Sequence, residues 1–177
     1  MTISNPRCNY FSKPKRTRPG LGRTFRTWRY LTKESFLQSF AVSVASDTSE
    51  MRRLGWWVRE ISHCLALPDD ITFRLDLCLE EAVHNIISYG YSDQGSHQID
   101  VKISYDADSL ALEVEDDGIA FDPLSVPVLV RPSTLAEAKI GGWGVHLIRQ
   151  FSDHCRYERR GEKNRLKLLF RVPLPEM

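Results

Sequence analysis

The order of the predicted elements indicates an α/β two-layer sandwich, in which helices pack on one face of a mixed, mostly antiparallel sheet. Two observations predict this fold class. Short segments of alternating polarity, typical of strands, lie on both sides of two consecutive segments with helical spacing. A long segment with three prolines then precedes one more helix and two final strands. The predicted order is strand, two helices, two strands, loop, helix and two strands.

The first predicted elements are a strand and two helices. Alternation predicts the strand from Phe36, Phe40, Val42 and Val44. Asp47 or Ser49 is expected to cap a helix that continues to about Leu65. Residues 67–70 break that helix and begin the next one, which should end at Gly90.

A hairpin, a long loop and three short elements complete the prediction. The hairpin strands are expected over residues 99–105 and 110–115. The aspartates of the turn between them favour turn formation over a metal site. Residues 117–142 show little periodicity, and a loop of that length in a compact domain is usually functional. The last helix and strands are expected over residues 143–151, 155–159 and 166–172.

Length and composition exclude several protein classes. A chain of 177 residues, with 42% hydrophobic and 27% charged residues, is typical of one globular domain. No apolar run approaches the roughly 18 residues that span a bilayer, and no secretory leader is recognisable. No CxxC spacing occurs among Cys8, Cys64, Cys78 and Cys155, which favours free thiols. We therefore expect a cytoplasmic protein without a membrane partner.

Charge is distributed unevenly between the N-terminus and the rest of the chain. Residues 1–33 carry nine Lys or Arg and no acidic residue, which leaves 15 basic and 23 acidic residues elsewhere. Interleaved basic and aromatic residues between Arg23 and Tyr30 can bind nucleic acid through phosphate contacts and stacking. The lack of a groove-reading motif favours a disordered or loosely docked extension over residues 1–34. The folded domain is then expected over residues 35–177.

Two polar side chains lie one turn apart on the second predicted helix. Glu81 and Asn85 share one flank of its apolar face, whereas Glu80 is expected to point into solvent. A carboxylate beside a carboxamide provides the oxygen ligands that a hard cation such as Mg²⁺ prefers. The alternative is an ordinary polar rim of a helix.

Asp116 ends an otherwise apolar strand, and Gly118 follows two residues later. A carboxylate in this position can accept a hydrogen bond from an exocyclic amine such as that of adenine. The glycine would allow the ligand a close approach. The alternative is a simple Asp-Asp-Gly turn.

A cluster of glycines introduces the third predicted helix. Backbone N–H groups around Gly141, Gly142 and Gly144 can surround a phosphate at the positive end of the helix dipole. The cluster is not a Walker A motif, because no Lys-Ser/Thr pair follows it. It is not a Rossmann turn either, because no strand precedes it.

Together, these segments resemble the N-box, G1 box and G2 box of the GHKL ATPase superfamily. The Phe121-Asp122-Pro123 sequence after the G1 box is similar to the anti-sigma factor serine/threonine kinase family. The Gly-Gly-x-Gly-x-x-Leu-Ile form of the G2 box resembles that family as well. The resemblance covers roughly residues 35–172 and implies a Bergerat-type ATP-binding fold. It also implies ATP and Mg²⁺ as cofactors.

The resemblance assigns a role to each motif. Asn85 would hold Mg²⁺, and Glu81 would be the general base for the attacking hydroxyl. Asp116 would bind the adenine amino group, with Gly118 keeping the pocket open. The phosphates would contact Gly141, Gly142, Trp143, Gly144 and Val145.

The loop and the flanking residues carry further expectations. Residues 124–140 would form the ATP lid, in which Arg131 and Lys139 could neutralise γ-phosphate charge. His84 and His146 are expected at the surface or partly buried rather than as ligands. One departure concerns Tyr89-Gly90-Tyr91, where relatives often have His-Ala-Tyr, and it affects the predicted shape of the pocket.

The function implied by the resemblance is phosphorylation of a protein. The substrate would be an anti-anti-sigma protein with a STAS domain, and a sigma factor would be the second partner. A two-component sensor kinase is not expected, because no phospho-acceptor histidine segment or dimerisation helix pair is present. The alternative is a non-catalytic, ATP-gated module that binds a partner. A homodimer is a further candidate assembly, and nucleic acid is a candidate partner only through the basic extension.

Overall fold

A computed structural model describes residues 38–93, 95–106, 108–125, 127 and 143–173. The strands are β1 (Gln38–Ala45), β2 (Gln98–Asp106), β3 (Ser109–Asp116), β4 (His154–Arg160) and β5 (Lys163–Arg171). The α-helices are α1 (Met51–Leu65), α2 (Asp69–Tyr89) and α3 (Trp143–Phe151). No helix in the described ranges is long and apolar enough to cross a membrane. The predicted extension over residues 1–34 lies outside these ranges.

The five strands form one sheet in the order β1-β2-β3-β5-β4. All four pairings between these strands are antiparallel. The predicted order of elements and the α/β sandwich are confirmed. The sheet was expected to be mixed, but the strands of the described ranges form no parallel pair. Each connection between neighbouring strands is either a hairpin or passes through helices, and this allows antiparallel pairing throughout.

Helices cover one face of the sheet, as predicted. Alternate residues of each central strand are buried, and they join the buried faces of α1 and α2 in one hydrophobic cluster. Strand residues in this cluster include Val42, Val101, Val114 and Leu166, which are cross-strand neighbours in register. From the helices, Trp57, Leu75 and Leu79 are almost completely buried. This shared core fixes α2 over the centre of the sheet.

Local capping explains where the helices begin and end. The Asp47 side chain accepts a hydrogen bond of 2.7 Å from the Ser49 backbone N–H, so Asp47 is the cap of the two candidates. It caps a short 3-10 turn (Thr48–Glu50) that leads into α1. Ala66 then adopts the left-handed conformation with φ 51°, which ends α1 before α2 begins. Gly90 ends α2, as predicted.

The buried strand residues should determine the stability of the domain. Leu112 in β3 has no exposed surface, so Leu112→Ala should lower the free energy of unfolding by about 2–5 kcal/mol. Lys102→Ala, at an exposed position of the neighbouring β2, should change it by less than about 0.5 kcal/mol. Urea unfolding followed by circular dichroism measures both values. Equal effects of the two substitutions would contradict this assignment of the core.

Candidate functional site

A cavity of about 310 Å³ opens between α2, α3 and the adjoining ends of β3 and β5. Its apolar walls include Ala82, Ile86, Tyr89, Ile119, Phe121, Val145, Ile148 and Leu166. Polar atoms come from few side chains, among them Asn85, Asp116 and Asn164. Ile119 and Phe121 are half exposed, so large apolar surfaces face the open cavity. An apolar cavity with a few polar groups at fixed positions is typical of a small-molecule site.

Asp116 is the buried carboxylate of this cavity, with 6% of its surface exposed. Its Oδ1 atom accepts hydrogen bonds of 2.8 Å from the Gly118 N–H and from the Asn164 side-chain amide. Burial raises the pKa of Asp116, and these two hydrogen bonds oppose that shift. No donor in the described part of the chain contacts Oδ2. The turn that was the alternative at Asp116 therefore forms, and it uses Oδ1.

Gly118 makes a close contact with the end of α2. A Cβ atom at this position would overlap the carbonyl oxygen of Gly90. The same carbonyl accepts a hydrogen bond of 2.8 Å from the Ile119 N–H. Gly90 makes this contact, and Tyr89 and Gly90 also form part of the cavity wall. The absence of a side chain at residue 118 allows two backbone segments to meet.

Glu81 and Asn85 face the first turn of α3. A Cβ atom at Gly144 would overlap the Glu81 carboxylate and would lie 3.1 Å from the Asn85 side-chain nitrogen. Both side chains are half buried, whereas Glu80 and His84 on the same helix are exposed, as predicted. The structure thus brings together the residues predicted from the N-box and one residue predicted from the G2 box.

Only part of the predicted phosphate-binding segment can be described. Trp143, Gly144 and Val145 form the first turn of α3, where backbone N–H groups have no partner within the helix. Gly141 and Gly142 lie outside the described residues, as do Arg131 and Lys139 of the predicted lid. His146 is partly buried and packs edge-on against Trp143, with 5.9 Å between ring centroids.

The beginning of the predicted lid is attached to α3. Arg149 donates hydrogen bonds to the backbone carbonyls of Pro123 and Leu124, the first of them at 3.3 Å. The Asp122 side chain accepts a hydrogen bond of 2.8 Å from the Leu124 N–H. These contacts position the chain immediately after Phe121, which lines the cavity.

The predictions from sequence did not include a polar network behind Asp116. Asn164 is 6% exposed, and it bonds Asp116 through its side-chain nitrogen. The Asn164 side-chain oxygen accepts hydrogen bonds of 2.7 Å from Tyr157 and from Arg159. One signal was available in the sequence, because Asn164 has the same strand phase as the apolar residues Leu166 and Leu168.

A second unpredicted cluster follows α2. Tyr91 stacks on His97 with 3.9 Å between ring centroids. His97 lies 2.7 Å from an Asp93 oxygen and 3.3 Å from an Asp117 oxygen. The hydrogen bond to Asp93 is the main cause that raises the pKa of His97. Burial, together with Asp116 and Asp117, raises the pKa of Tyr91. This cluster holds the chain after α2 beside the turn of Asp116.

The donor set beside Gly144 fits Mg²⁺ better than a transition metal. The described residues contain no group of three or more His, Cys, Asp or Glu side chains able to hold an ion. Mg²⁺ needs no such cage, because it is usually held by one or two protein oxygens together with water and substrate phosphates. The Asn85 amide oxygen and the Glu81 carboxylate provide oxygen donors of this kind.

Comparison with known proteins shows the family and the fold of the chain. A model of the histidine kinase-like ATPase domain matches residues 44–170. The serine/threonine-protein kinase BtrW of Bordetella bronchiseptica is 30% identical over 115 residues, which cover 64% of this chain and 80% of that protein. The chain is also similar to a crystal structure of the RsbU and RsbW domains of Rv1364c from Mycobacterium tuberculosis. That similarity has a TM-score of 0.53 at 13% identity and covers 77% of this chain but only 33% of the other.

The contact between Gly118 and Gly90 leads to a stability prediction. Gly118→Ala should lower the free energy of unfolding by about 1–3 kcal/mol, because the new methyl group meets backbone that cannot rotate away. Gly55→Ala is the matched control. A Cβ atom there would lie 3.5 Å from Asp76, and alanine favours the helix by about 0.5–1 kcal/mol. In thermal unfolding, the Tm of Gly118→Ala should therefore fall below that of wild type, and the Tm of Gly55→Ala should rise above it. A neutral Gly118→Ala would contradict the close contact.

Proposed function

The chain belongs to the histidine kinase-like ATPase domain family, as its motifs predicted, and from this premise we propose that it is an ATP-dependent serine/threonine protein kinase. One observation carries the proposal. The Glu81 carboxylate and the Asn85 amide converge on Gly144 at the first turn of α3, beside a cavity that contains the buried Asp116 carboxylate. This arrangement offers a base-binding cavity and a phosphate-binding helix end close to a candidate proton acceptor.

The cavity suits the adenine ring. Its apolar walls can enclose a flat aromatic ligand, and the ring would cover the exposed faces of Ile119 and Phe121. We propose that Asp116 Oδ2 accepts a hydrogen bond from the exocyclic amine of adenine. A hydrogen bond to a charged acceptor is worth about 1.5–3 kcal/mol, enough to orient the base.

The phosphates would extend from this cavity toward α3. The N–H groups of Trp143, Gly144 and Val145 and the positive end of the helix dipole favour negative charge there. Asn85 would hold Mg²⁺, which neutralises phosphate charge when bound. The missing side chain at Gly144 leaves space between the helix end and the Glu81–Asn85 pair.

We assign Glu81 as the general base of the transfer. The oxygen of a serine or threonine hydroxyl attacks the γ-phosphorus, and the bond between that phosphorus and the β–γ bridging oxygen breaks. ADP leaves, and the hydroxyl proton passes to the Glu81 carboxylate. Positioning and charge neutralisation account for most of the catalysis in reactions of this type. Glu81 is suited to this task because it is half buried on α2 and its carboxylate lies close to Gly144 in the first turn of α3.

For the protein substrate, we propose an anti-anti-sigma protein of the STAS type, with a sigma factor as the second partner. The sequence resemblance to anti-sigma factor kinases and the similarity to a serine/threonine-protein kinase support this choice. Outside residues 1–33 the chain carries 23 acidic and 15 basic residues, so its body would attract a basic partner surface.

Replacement of the proposed base should remove catalysis and spare nucleotide binding. We expect Glu81→Gln to lower the rate of phosphate transfer by about 10²- to 10⁴-fold, the usual contribution of a general base. The Kd for ATP should change by less than about threefold, because Gln keeps the size of the side chain. Transfer of radiolabelled γ-phosphate to STAS-type proteins of the same genome measures the rate, and calorimetry measures the Kd.

Glu80→Gln is the matched control for that experiment. The substitution makes the same change one residue earlier, on the exposed side of α2, and transfer should remain at the wild-type rate. Equal rates for Glu81→Gln and wild type would remove Glu81 from the mechanism. If wild type binds ATP but transfers no phosphate to any candidate, the function becomes ATP-gated binding of a partner.

The proposed magnesium ligand has a separate signature. Asn85→Ala should weaken ATP binding roughly tenfold or more in the presence of Mg²⁺, because a lost contact to a charged group costs about 1.5–3 kcal/mol. In excess EDTA, the difference between variant and wild type should become much smaller. His84→Ala, at the exposed preceding position, serves as the control. A loss of affinity that is the same with and without Mg²⁺ would argue against a metal role for Asn85.

A further inference from the structure

Asn164 occupies a core-facing position of β5, where an apolar residue is expected. It lies on the helix-facing side of β5, directly opposite Asp116 on β3. The next residues on that side, Leu166, Leu168 and Phe170, all belong to the hydrophobic core. Burying an amide costs free energy unless its hydrogen-bonding groups find partners. The amide is retained in the core together with a full set of hydrogen-bond partners, which indicates a role beyond packing.

The hydrogen bonds of Asn164 fix the orientation of its amide group. The side-chain oxygen accepts from the Tyr157 hydroxyl and the Arg159 guanidinium, each at 2.7 Å. Because a guanidinium can only donate, the oxygen must face Arg159, and the nitrogen must face the carboxylate of Asp116. The nitrogen donates to Asp116 Oδ1 at 2.8 Å and to the Ile119 carbonyl at 2.9 Å.

This arrangement determines which oxygen of Asp116 can meet a ligand. Asn164 and the Gly118 N–H both bond Oδ1, so the carboxyl group is held in one orientation. The charged groups around it are Asp117, next in the chain, and Arg159 from β4, with the Tyr91 hydroxyl on the side of α2. Burial raises the pKa of Asp116, and among the groups that lower it the hydrogen bond from Asn164 has the largest effect.

We propose that Asn164 is a positioning residue that keeps Asp116 ionised and oriented, and thereby selects adenine over guanine. The inference rests on the proposed binding of ATP. Adenine presents an amine donor where guanine presents the O6 acceptor. An ionised carboxylate accepts from the first and repels the second, whereas a protonated carboxyl group can donate to O6. Base selectivity therefore depends on the protonation state of Asp116.

The sign of the pH effect follows from the burial of Asp116. ATP binding requires the ionised form, so affinity falls as the pH drops through the pKa of Asp116. Burial raises the pKa of Asp116, and the hydrogen bond from Asn164 lowers it. Removal of this donor should therefore raise the pKa further. The pH at which ATP binding is half lost should move upward in the variant.

The experiment measures the affinities of the full-length chain for Mg-ATP and Mg-GTP between pH 5 and 8. Asn164→Ala should weaken ATP binding roughly tenfold, in line with about 1.5 kcal/mol for a hydrogen bond to a charged group. It should also lower the ATP-to-GTP affinity ratio and shift the ATP pH profile upward. Lys167→Ala is the matched control, because it removes a side chain from the same strand on the opposite face, where it pairs with Glu113.

Tyr157→Phe provides a second, milder variant should Asn164→Ala fail to fold. It removes one donor to the Asn164 oxygen and should change the affinity ratio and the pH profile in the same directions by a smaller amount. A folded Asn164→Ala with the wild-type ratio and profile would overturn the inference. If Asn164→Ala does not fold, a wild-type ratio and profile in Tyr157→Phe would overturn it instead. Wild-type protein that binds no ATP at all would overturn the proposed function itself.

Discussion

The antiparallel register between β3 and β5 is the constraint on which the site depends. It places Asp116 directly opposite Asn164 at the end of two buried strands. Both side chains are only 6% exposed, so each must find hydrogen-bond partners inside the protein. A shift of one residue in this register would turn one of the pair toward the opposite face of the sheet. The hydrophobic core that sets the register therefore also sets the geometry of the buried carboxylate.

Two glycines allow close contacts between the elements around this carboxylate. Gly118 lets the turn after β3 meet the end of α2, and Gly144 lets the start of α3 approach the Glu81–Asn85 pair. In both places a methyl group would occupy space that another group already fills. The residues that approach these glycines come from the two ends of one helical segment, Glu81 to Gly90. Helix α2 thus fixes the position of the turn after β3 relative to the first turn of α3.

Much of this arrangement was predictable from sequence, because periodicity and caps are local signals. The three helices and five strands agree with the predicted order, and Asp116 ends its strand as expected. Asn164 was missed because its role depends on a partner 48 residues away in the chain. Its polar character at a core-facing strand position was visible, but the pairing that explains it required the register of the sheet. The cluster of Tyr91, His97 and Asp117 was missed because it joins the segment after α2 to the turn after β3, and no local pattern marks that contact.

The polar residues of the site come from two different parts of the fold. Asp116 and Asn164 lie on paired strands, where ladder hydrogen bonds restrict their movement. Glu81 and Asn85 lie on the flank of a helix whose opposite face is buried in the core. Each group is thereby held by packing that does not involve the ligand, so binding would require little reorganisation of the protein. In the proposed kinase, selection of the base and transfer of the phosphate would therefore be separable, because different elements of the same core support them.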